Sequence, residues 1–185
     1  DLRASELRAF PRRAFRAREP ATGREALFEG VSVADLLAEA VRRAGRVVVP
    51  GQGSMPACAE AMRRSGVADA LREALRRGAL VLGICVGLQV LFEEGEEGGG
   101  SPGLGILPGR VARLPDRVKL PNIGWCPVRA VGRPHPLFAP LDGQYVYFAH
   151  SYAAPADARG VQLLAEHGRP YCAALAEGSL FAVQF

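Results

Sequence analysis

Lysine is almost absent from this sequence, in which 22 arginines accompany a single lysine, Lys119. Across 185 residues the 23 basic and 19 acidic side chains give a net charge of +4. A concentrated basic surface can bind nucleic acid through its phosphates. Here the arginines are spread among the acids along the whole chain, and no cluster of basic and aromatic residues is visible. We therefore expect no nucleic-acid binding.

Long apolar runs and paired cysteines are also missing. No run approaches the roughly 18 residues that a membrane-spanning helix needs, and the first 20 residues lack the apolar core of a signal peptide. We expect a cytoplasmic protein without membrane contact. The four cysteines form no C-x-x-C pair and have no neighbouring histidine, which argues against a zinc site or a disulfide framework. We expect neither a metal nor another cofactor.

A cysteine in the middle of a strongly apolar stretch stands out from this background. Residues 79–84, ALVLGI, predict a buried strand, and residues 86–92, VGLQVLF, predict a helix. Between them, Gly83 and Gly87 flank Cys85 with the spacing of a nucleophile elbow, in which glycines let strand and helix approach closely. A helix N-terminus favours the thiolate. The pattern predicts a nucleophile, although a cysteine in an apolar run can also be an inert core residue.

The first half of the chain alternates helices and strands. We predict helices over 32–44, 55–64 and 67–77, and strands at 47–49 and 79–84. This alternation is typical of a parallel sheet covered by helices, in which chemistry gathers at the carboxyl ends of strands. The turn PGQG at 50–53 and Cys85 both lie at such ends, so we pair them. Alone, the turn would be an ordinary strand-to-helix connection.

The second half contains short predicted strands separated by turns, at 106–107, 110–114, 126–131, 144–149, 161–166, 171–176 and 180–185. We expect them to extend the same sheet in an antiparallel manner, within a single domain over residues 1–185. Residues 1–30 are atypical: they carry seven arginines, five acids and two prolines, and show no clear strand. We also expect the last strand to lie at an open sheet edge.

Five segments together carry a resemblance: PGQG at 50–53, LGICVGLQ at 82–89, LGILPG at 104–109, KLPNIGW at 119–125 and YFAHSY at 147–152. Over about residues 47–185 the sequence resembles the class I, triad-type glutamine amidotransferases. More narrowly, it resembles the glutaminase subunit of imidazole glycerol phosphate synthase, an enzyme of histidine biosynthesis. The resemblance implies a three-layer α/β domain, with a central, mostly parallel sheet, helices on both faces and an antiparallel extension in the C-terminal half.

The resemblance also implies a role for particular residues. Cys85 would attack the side-chain amide of glutamine, release ammonia and form a thioester that water hydrolyses. The implied oxyanion hole consists of Val86 and the turn residues Gln52 and Gly53. The implied substrate-binding residues are Gly51, Gln89, Ser151 and Tyr152. Ammonia would pass to a (β/α)8-barrel cyclase subunit, which would face Pro121, Asn122 and Trp125; alternatively, Trp125 is a core aromatic.

The sequence departs from this family at both ends. In the family a strand ending Gln-Phe continues into His-Pro-Glu, which supplies the general base and its orienting carboxylate, whereas the sequence here ends at Phe185. None of His135, His150 and His167 occupies that position. The family's opening strand and its glycine- and asparagine-containing turn have no counterpart in residues 1–30. We therefore interpret the chain as a truncated or altered copy of the subunit, with little glutaminase activity as written.

Three hypotheses stay open at this point. The chain is the glutaminase subunit, with the missing triad residues present in the full gene product. Alternatively, it is a catalytically inactive homologue that keeps the partner-binding surface. A third possibility is the glutaminase subunit of another synthase, such as pyridoxal-phosphate synthase, which the segment at 119–125 favours less.

Overall fold

The computed structural model describes residues 10–18 and 24–185. It begins with a hairpin of strands β1 (Arg12–Arg18) and β2 (Glu25–Val31), which pair antiparallel with Arg12 opposite Val31. The prediction that residues 1–30 contain no clear strand was wrong for these two segments. They pair only with each other among the described strands. The arginine-rich sequence lacks the apolar alternation by which a half-buried strand is recognised, and backbone pairing itself leaves no such signal.

Four helices follow the pattern that the sequence predicts in the first half. They are α1 (Val33–Arg43), α2 (Met55–Arg64), α3 (Val67–Arg76) and the single turn α4 (Val86–Gln89). The predicted bounds of α2, 55–64, are confirmed. Ser54 caps the start of this helix by accepting a hydrogen bond from the Ala57 N–H at 3.4 Å. Within the described ranges, no helix is both long and apolar enough to cross a bilayer.

A six-stranded sheet lies at the centre of the molecule. Its order is β3 (Arg46–Gly51), β4 (Leu80–Cys85), β14 (Leu180–Val183), β13 (Pro170–Glu177), β12 (Val161–Glu166) and β9 (Arg129–Ala130). The first three strands are parallel, and the other pairings are antiparallel. The antiparallel extension therefore supplies three of the five pairings. Since β14 lies between β4 and β13, the prediction that the last strand forms an edge was wrong.

Strand β3 is an edge of this sheet among the described strands, so the short strand predicted at 47–49 is buried only in part. The side chain of Val48 is 58% exposed, whereas Val49 is buried. A strand at the edge of a sheet has a neighbour on only one side, so a valine-rich sequence does not by itself ensure burial.

The remaining strands form two smaller sheets. One has the order β11 (Tyr152–Ala153), β7 (Leu107–Arg113), β5 (Phe92–Gly95) and β6 (Ser101–Pro102). The other is a hairpin-like pair of β8 (Asn122–Pro127) and β10 (Tyr145–His150), with Trp125 opposite Tyr147. Helix α4 ends at Gln89 and β5 begins at Phe92, so the helix predicted over 86–92 is much shorter than expected.

Two apolar cores flank the six-stranded sheet. The first joins the helices to the sheet, with Ala59 and Leu71 in the same cluster as Val81 and Ala182. The second packs around Phe148 and Tyr171, and Phe181 of β14 lies against it. No buried member of the second cluster comes from a helix within the described residues. Of the helices predicted on both faces, those on the second face are thus replaced by strands and loops in this part of the chain.

Candidate active site

Cys85 occupies a strained turn between β4 and α4. Its backbone angles are φ 56° and ψ −113°, and it is the only non-glycine residue with positive φ in the described ranges. Such a conformation costs on the order of 1–3 kcal/mol and clusters at functional sites. The turn bends the chain sharply from strand into helix, as a nucleophile elbow requires.

Three glycines make this turn possible by removing side chains from its contacts. A Cβ atom on Gly87 would lie 1.9 Å from the Val49 carbonyl oxygen, and one on Gly83 would lie 2.7 Å from the Gly87 carbonyl oxygen. A Cβ atom on Gly51 would lie 2.2 Å from the Gly87 N–H nitrogen. The elbow therefore packs directly on the end of β3, where Gly51 is opposite Cys85 in the parallel register. The predicted pairing of the turn with the cysteine is confirmed.

A cavity of about 210 Å³ opens beside the elbow. Its lining residues are Gly53, Cys85, Val86, Gln89, Glu97, Pro121, Ala149, His150, Ser151 and Tyr152. Six of the predicted site residues lie here besides Cys85, while Gly51, Gln52, Asn122 and Trp125 do not line the cavity. A larger cavity of about 460 Å³ lies along β9 and β12, but its lining contains no cysteine or histidine. The smaller cavity is the candidate active site because its lining includes Cys85 and His150.

Two glutamine side chains connect the Cys85 thiol to the Tyr152 carbonyl group, and both of these residues line the cavity. The Gln184 Nε2 atom donates to Cys85 Sγ at 3.6 Å, and Gln184 Oε1 accepts from Gln89 Nε2 at 3.0 Å. Gln89 Nε2 also donates to the Tyr152 carbonyl oxygen at 2.9 Å. Gln89 was predicted as a site residue, but Gln184 was not. Its position directly after the last apolar strand, parallel to the strand that carries Cys85, is the signal that could have identified it.

Burial has the largest influence on the pKa of the Cys85 thiol. It raises the pKa of Cys85 above its ordinary value, and the hydrogen bonds from the Val86 N–H and from Gln184 oppose the rise only in part. The expectation that a helix dipole lowers this pKa was wrong in its net direction. Helix α4 has four residues, so its dipole is small, and the thiol is partly withdrawn from solvent. The Val86 N–H nevertheless faces the sulfur, as an oxyanion donor would.

The turn before α2 is held on its outer side by a second cysteine. The Cys58 thiol donates to the Gln52 carbonyl oxygen at 3.3 Å, and Gly53 has a φ of 86°. The Gln52 carbonyl thus points towards α2 in this structure. Gly53 lines the cavity, so the backbone between these two residues lies within reach of the site.

His150 lines the cavity and belongs to a buried hydrogen-bond network. Its Nδ1 atom lies 2.9 Å from the Tyr152 carbonyl oxygen, and since a carbonyl only accepts, we assign the ring hydrogen to Nδ1. Its Nε2 atom lies 3.3 Å from the Tyr171 hydroxyl and 3.4 Å from Asn122 Nδ2. Burial lowers the pKa of His150 to about 4. The imidazole is therefore neutral near pH 7.

Asn122 supports the predicted partner surface from below and is not part of its exposed area. It is 3% exposed, and its amide nitrogen donates to the Tyr171 hydroxyl at 3.2 Å. The exposed side chains are its neighbours on β8 and β10: Ile123 at 63%, Trp125 at 67%, Tyr145 at 64% and Tyr147 at 49%. The rings of Trp125 and Tyr147 meet edge to face at 5.7 Å. Because Trp125 is exposed, the alternative that it is a core aromatic was wrong.

Glu97 is a cavity residue that the sequence did not reveal. Its carboxylate accepts a hydrogen bond from the Met55 N–H at 2.7 Å, at the start of α2, and it lines the cavity with Cys85. The residue lies in the acidic, glycine-rich segment after Glu93, which reads as an ordinary surface loop. No local pattern marks which of its glutamates folds back on the site.

An α/β sheet that presents a cysteine on a strand-to-helix elbow, beside a glycine turn and a polar cavity, defines a class of proteins with a thiol nucleophile. Comparison with known proteins narrows this class. The sequence model of the CobB/CobQ-like glutamine amidotransferase domain matches residues 25–127, more than half of the chain. The chain belongs to the class I glutamine amidotransferase family.

Individual relatives agree with this assignment. The chain is 45% identical over 148 residues to the imidazole glycerol phosphate synthase subunit HisH of Symbiobacterium thermophilum, which covers 79% of this chain and 69% of the relative. It is 44% identical over 156 residues to the HisH subunit of Chromobacterium violaceum, covering 80% and 72%. A crystal structure of a glutamine amidotransferase superposes with a TM-score of 0.57 at 22% identity, over 76% of this chain and 69% of that chain, and supports the fold.

Proposed function

We propose that this chain is a single-domain glutaminase of the imidazole glycerol phosphate synthase type, which hydrolyses glutamine to glutamate and ammonia. The observation that carries the proposal is the cavity in which the Cys85 elbow, the Gly53 turn and Gln89 meet. The similarity to HisH subunits at 44–45% identity supports the choice of synthase. A cytoplasmic location is part of the same proposal.

The chemistry follows from the elbow. The Cys85 thiolate attacks the side-chain amide carbon of glutamine, and the resulting tetrahedral oxyanion accepts hydrogen bonds from the Val86 N–H and from the backbone at Gln52–Gly53. The carbon–nitrogen bond then breaks, and the nitrogen takes up a proton and leaves as ammonia. Water attacks the remaining thioester, which yields glutamate and restores the thiol. The Gln52 carbonyl now points to Cys58, so the turn must rotate before its N–H can face the oxyanion.

One charged group of the substrate has a complementary side chain in the cavity lining. Glu97 is the one acidic side chain among its lining residues, and we assign to it the α-ammonium group of glutamine. Ser151 and Tyr152 also line the cavity and contribute polar groups for the rest of the substrate. Gly51 does not line the cavity and contributes indirectly, because its missing side chain leaves room for the elbow to pack on β3.

A general base for Cys85 is not supplied by the three histidines of the described chain. His150 is hydrogen-bonded to the Tyr152 carbonyl oxygen and lies beside Tyr171, and His167 is 2.8 Å from the Lys119 carbonyl oxygen. The His135 ring meets the Phe181 ring edge to face, with the centroids 5.0 Å apart. In the family that the sequence resembles, the base comes from a His-Pro-Glu segment, which would follow Phe185 in this chain. General acid–base help of this kind is typically worth about 10²–10⁴-fold in rate.

A glutaminase assay on the 185-residue polypeptide, with and without His-Pro-Glu added after Phe185, tests this proposal. We expect the extended polypeptide to hydrolyse glutamine about 10²–10⁴ times faster than the shorter one. Cys85→Ala should abolish that activity, and Cys126→Ser should retain it. If the extended polypeptide gains no activity, or keeps it after Cys85→Ala, the glutaminase proposal fails.

The exposed patch of Ile123, Trp125, Tyr145 and Tyr147 supports a second part of the proposal, a (β/α)8-barrel cyclase subunit as the partner that receives ammonia. Exposed aromatic residues of this kind are typical of binding hot spots. Trp125→Ala should weaken binding to the cyclase subunit at least tenfold by titration, whereas Leu137→Ala, at an exposed leucine outside the patch, should not. Equal binding by both variants would exclude the patch as the contact surface.

An inactive, partner-binding homologue is the alternative, and the burial that raises the pKa of the Cys85 thiol favours it. It predicts cyclase binding that Trp125→Ala weakens, together with no glutamine hydrolysis even after the His-Pro-Glu extension. A glutaminase subunit of pyridoxal-phosphate synthase would instead bind the synthase of that pathway. Binding measurements with the two purified synthases identify the partner, and the glutaminase assay separates an active from an inactive subunit, so the two experiments together distinguish all three assignments.

A further inference from the structure

The geometry points to Gln184 as a positioning residue that sets both the nucleophile and the substrate-binding amide of Gln89. This inference rests on the proposed function, because it assigns Gln184 a part in the same site. Gln184 does not line the cavity, so it acts through its two partners rather than on the substrate.

The backbone places Gln184 level with the thiol. Strand β14 runs parallel to β4 with Val183 opposite Ile84, so the next residue on each strand brings Gln184 beside Cys85. The Gln184 N–H donates to the Ala173 carbonyl oxygen at 2.9 Å, which continues the pairing with β13 beyond the end of β14. The residue is 1% exposed. A buried side chain with an anchored backbone has little freedom to turn away.

Hydrogen-bond accounting fixes the direction of both amides. A glutamine amide nitrogen carries two hydrogens and its oxygen carries none. Gln89 Nε2 donates to the Tyr152 carbonyl at 2.9 Å and to Gln184 Oε1 at 3.0 Å, so both of its hydrogens are used. Gln89 Oε1 is the atom left for the cavity. Because Gln184 Oε1 is the acceptor in this pair, its Nε2 atom is the one that faces Cys85 Sγ at 3.6 Å.

Two functional consequences follow from this arrangement. A donor beside Sγ stabilises the thiolate against the burial that otherwise disfavours it. A fixed Gln89 oxygen presents an acceptor, which suits the N–H donors of glutamine and rejects groups that offer only oxygen acceptors. A single residue therefore coordinates the reactivity of the thiol with the recognition of the substrate.

Alkylation of Cys85 by iodoacetamide, followed by peptide mass spectrometry across a pH series, tests the first consequence. We compare Gln184→Met, which removes both hydrogen bonds, with Gln184→Glu, which keeps an acceptor for Gln89 but loses the donor to Sγ. Gln162→Met is the control, since Gln162 bonds Gly160 and His135 outside the site. Both Gln184 variants should react about three- to tenfold more slowly at pH 7. At high pH, where the thiol is ionised, both variants should reach the same alkylation rate as the chain that retains Gln184. A merely structural effect would instead change access to Cys85, and therefore the rate, at every pH.

The chloroketone analogue of glutamine tests the second consequence. Gln184→Met should raise the analogue concentration that half-saturates Cys85 alkylation about tenfold, and Gln184→Glu should raise it less, because the Gln89 orientation is retained. If the unmodified chain shows no saturable alkylation by the analogue, the proposed function fails. If it does saturate, and both Gln184 variants match it in half-saturation and in pH profile, the role of Gln184 is refuted. Should Gln184→Met not fold, the Gln184→Glu pH profile alone decides: an unchanged rate at pH 7 overturns the inference.

Discussion

The strained backbone at Cys85 predicts that glycine stabilises this position more than alanine does. Both Cys85→Gly and Cys85→Ala remove the thiol, so the loss of its contacts cancels in their comparison. Alanine keeps the strain of φ 56° and ψ −113°, which costs about 1–3 kcal/mol, and glycine relieves most of it. Glycine loses about 0.5–1 kcal/mol in backbone entropy on folding relative to alanine. We expect Cys85→Gly to be more stable than Cys85→Ala by roughly 1 kcal/mol in urea unfolding.

Cys172 provides the matched control for this measurement. It is a buried cysteine in β13, where the backbone is regular, so the same pair of substitutions should give the opposite sign. Cys172→Gly should be less stable than Cys172→Ala by about 0.5–1 kcal/mol. The difference between the two sites isolates the strain. If glycine is unfavourable by the same amount at both positions, no strain is stored at the elbow and the argument for a nucleophile elbow loses its energetic support.

Two further predictions concern the elbow glycine and the buried histidine. Gly87→Ala should prevent stable folding, since its Cβ atom would lie 1.9 Å from the Val49 carbonyl oxygen. Gly45→Ala is the control, because the space around its Cβ position is open, and it should fold normally. Circular dichroism measures both variants, and a folded Gly87→Ala variant would contradict this packing. His150 has its pKa lowered from 6.5 to about 4, so its contribution to stability is complete above pH 6.5 and is lost as the pH falls towards 4. Urea unfolding should show a loss on the order of 2 kcal/mol between pH 7 and pH 5, and His150→Gln should remove that part of the slope; an equal slope in both proteins would refute the assignment.

The sequence predicted the parts of this fold that depend on local chemistry. The helix predicted over 55–64 coincides with α2, and the close approach at Gly83 and Gly87 follows from their spacing around Cys85. The length of α4 could not be predicted, because residues 86–92 are apolar except for Gln89 and fit a helix or a strand equally well. Tertiary pairing of β5 with β7 decides the outcome.

The site residues that the sequence analysis did not predict reach the site through contacts that are distant along the chain. Gln184 reaches Cys85 only because β14 inserts next to β4, 99 residues away along the chain. Glu97 reaches the cavity because its carboxylate caps the first turn of α2, 42 residues earlier. Neither contact leaves a periodic pattern. The predicted direction of the Cys85 pKa shift was wrong for a related reason. Burial, which raises this pKa, depends on the whole fold, whereas the expected dipole effect depended on a helix that is only one turn long.

Trp125 is the only tryptophan of the chain, and it stands 67% exposed on β8 beside Tyr147. Fluorescence excited at the red edge of the indole band therefore comes from this one surface and from nowhere else in the polypeptide. Docking of a partner on the patch would move the ring from water into an apolar setting and shift its emission to shorter wavelength. The protein thus carries its own optical reporter of assembly, with no label to perturb the contact it measures.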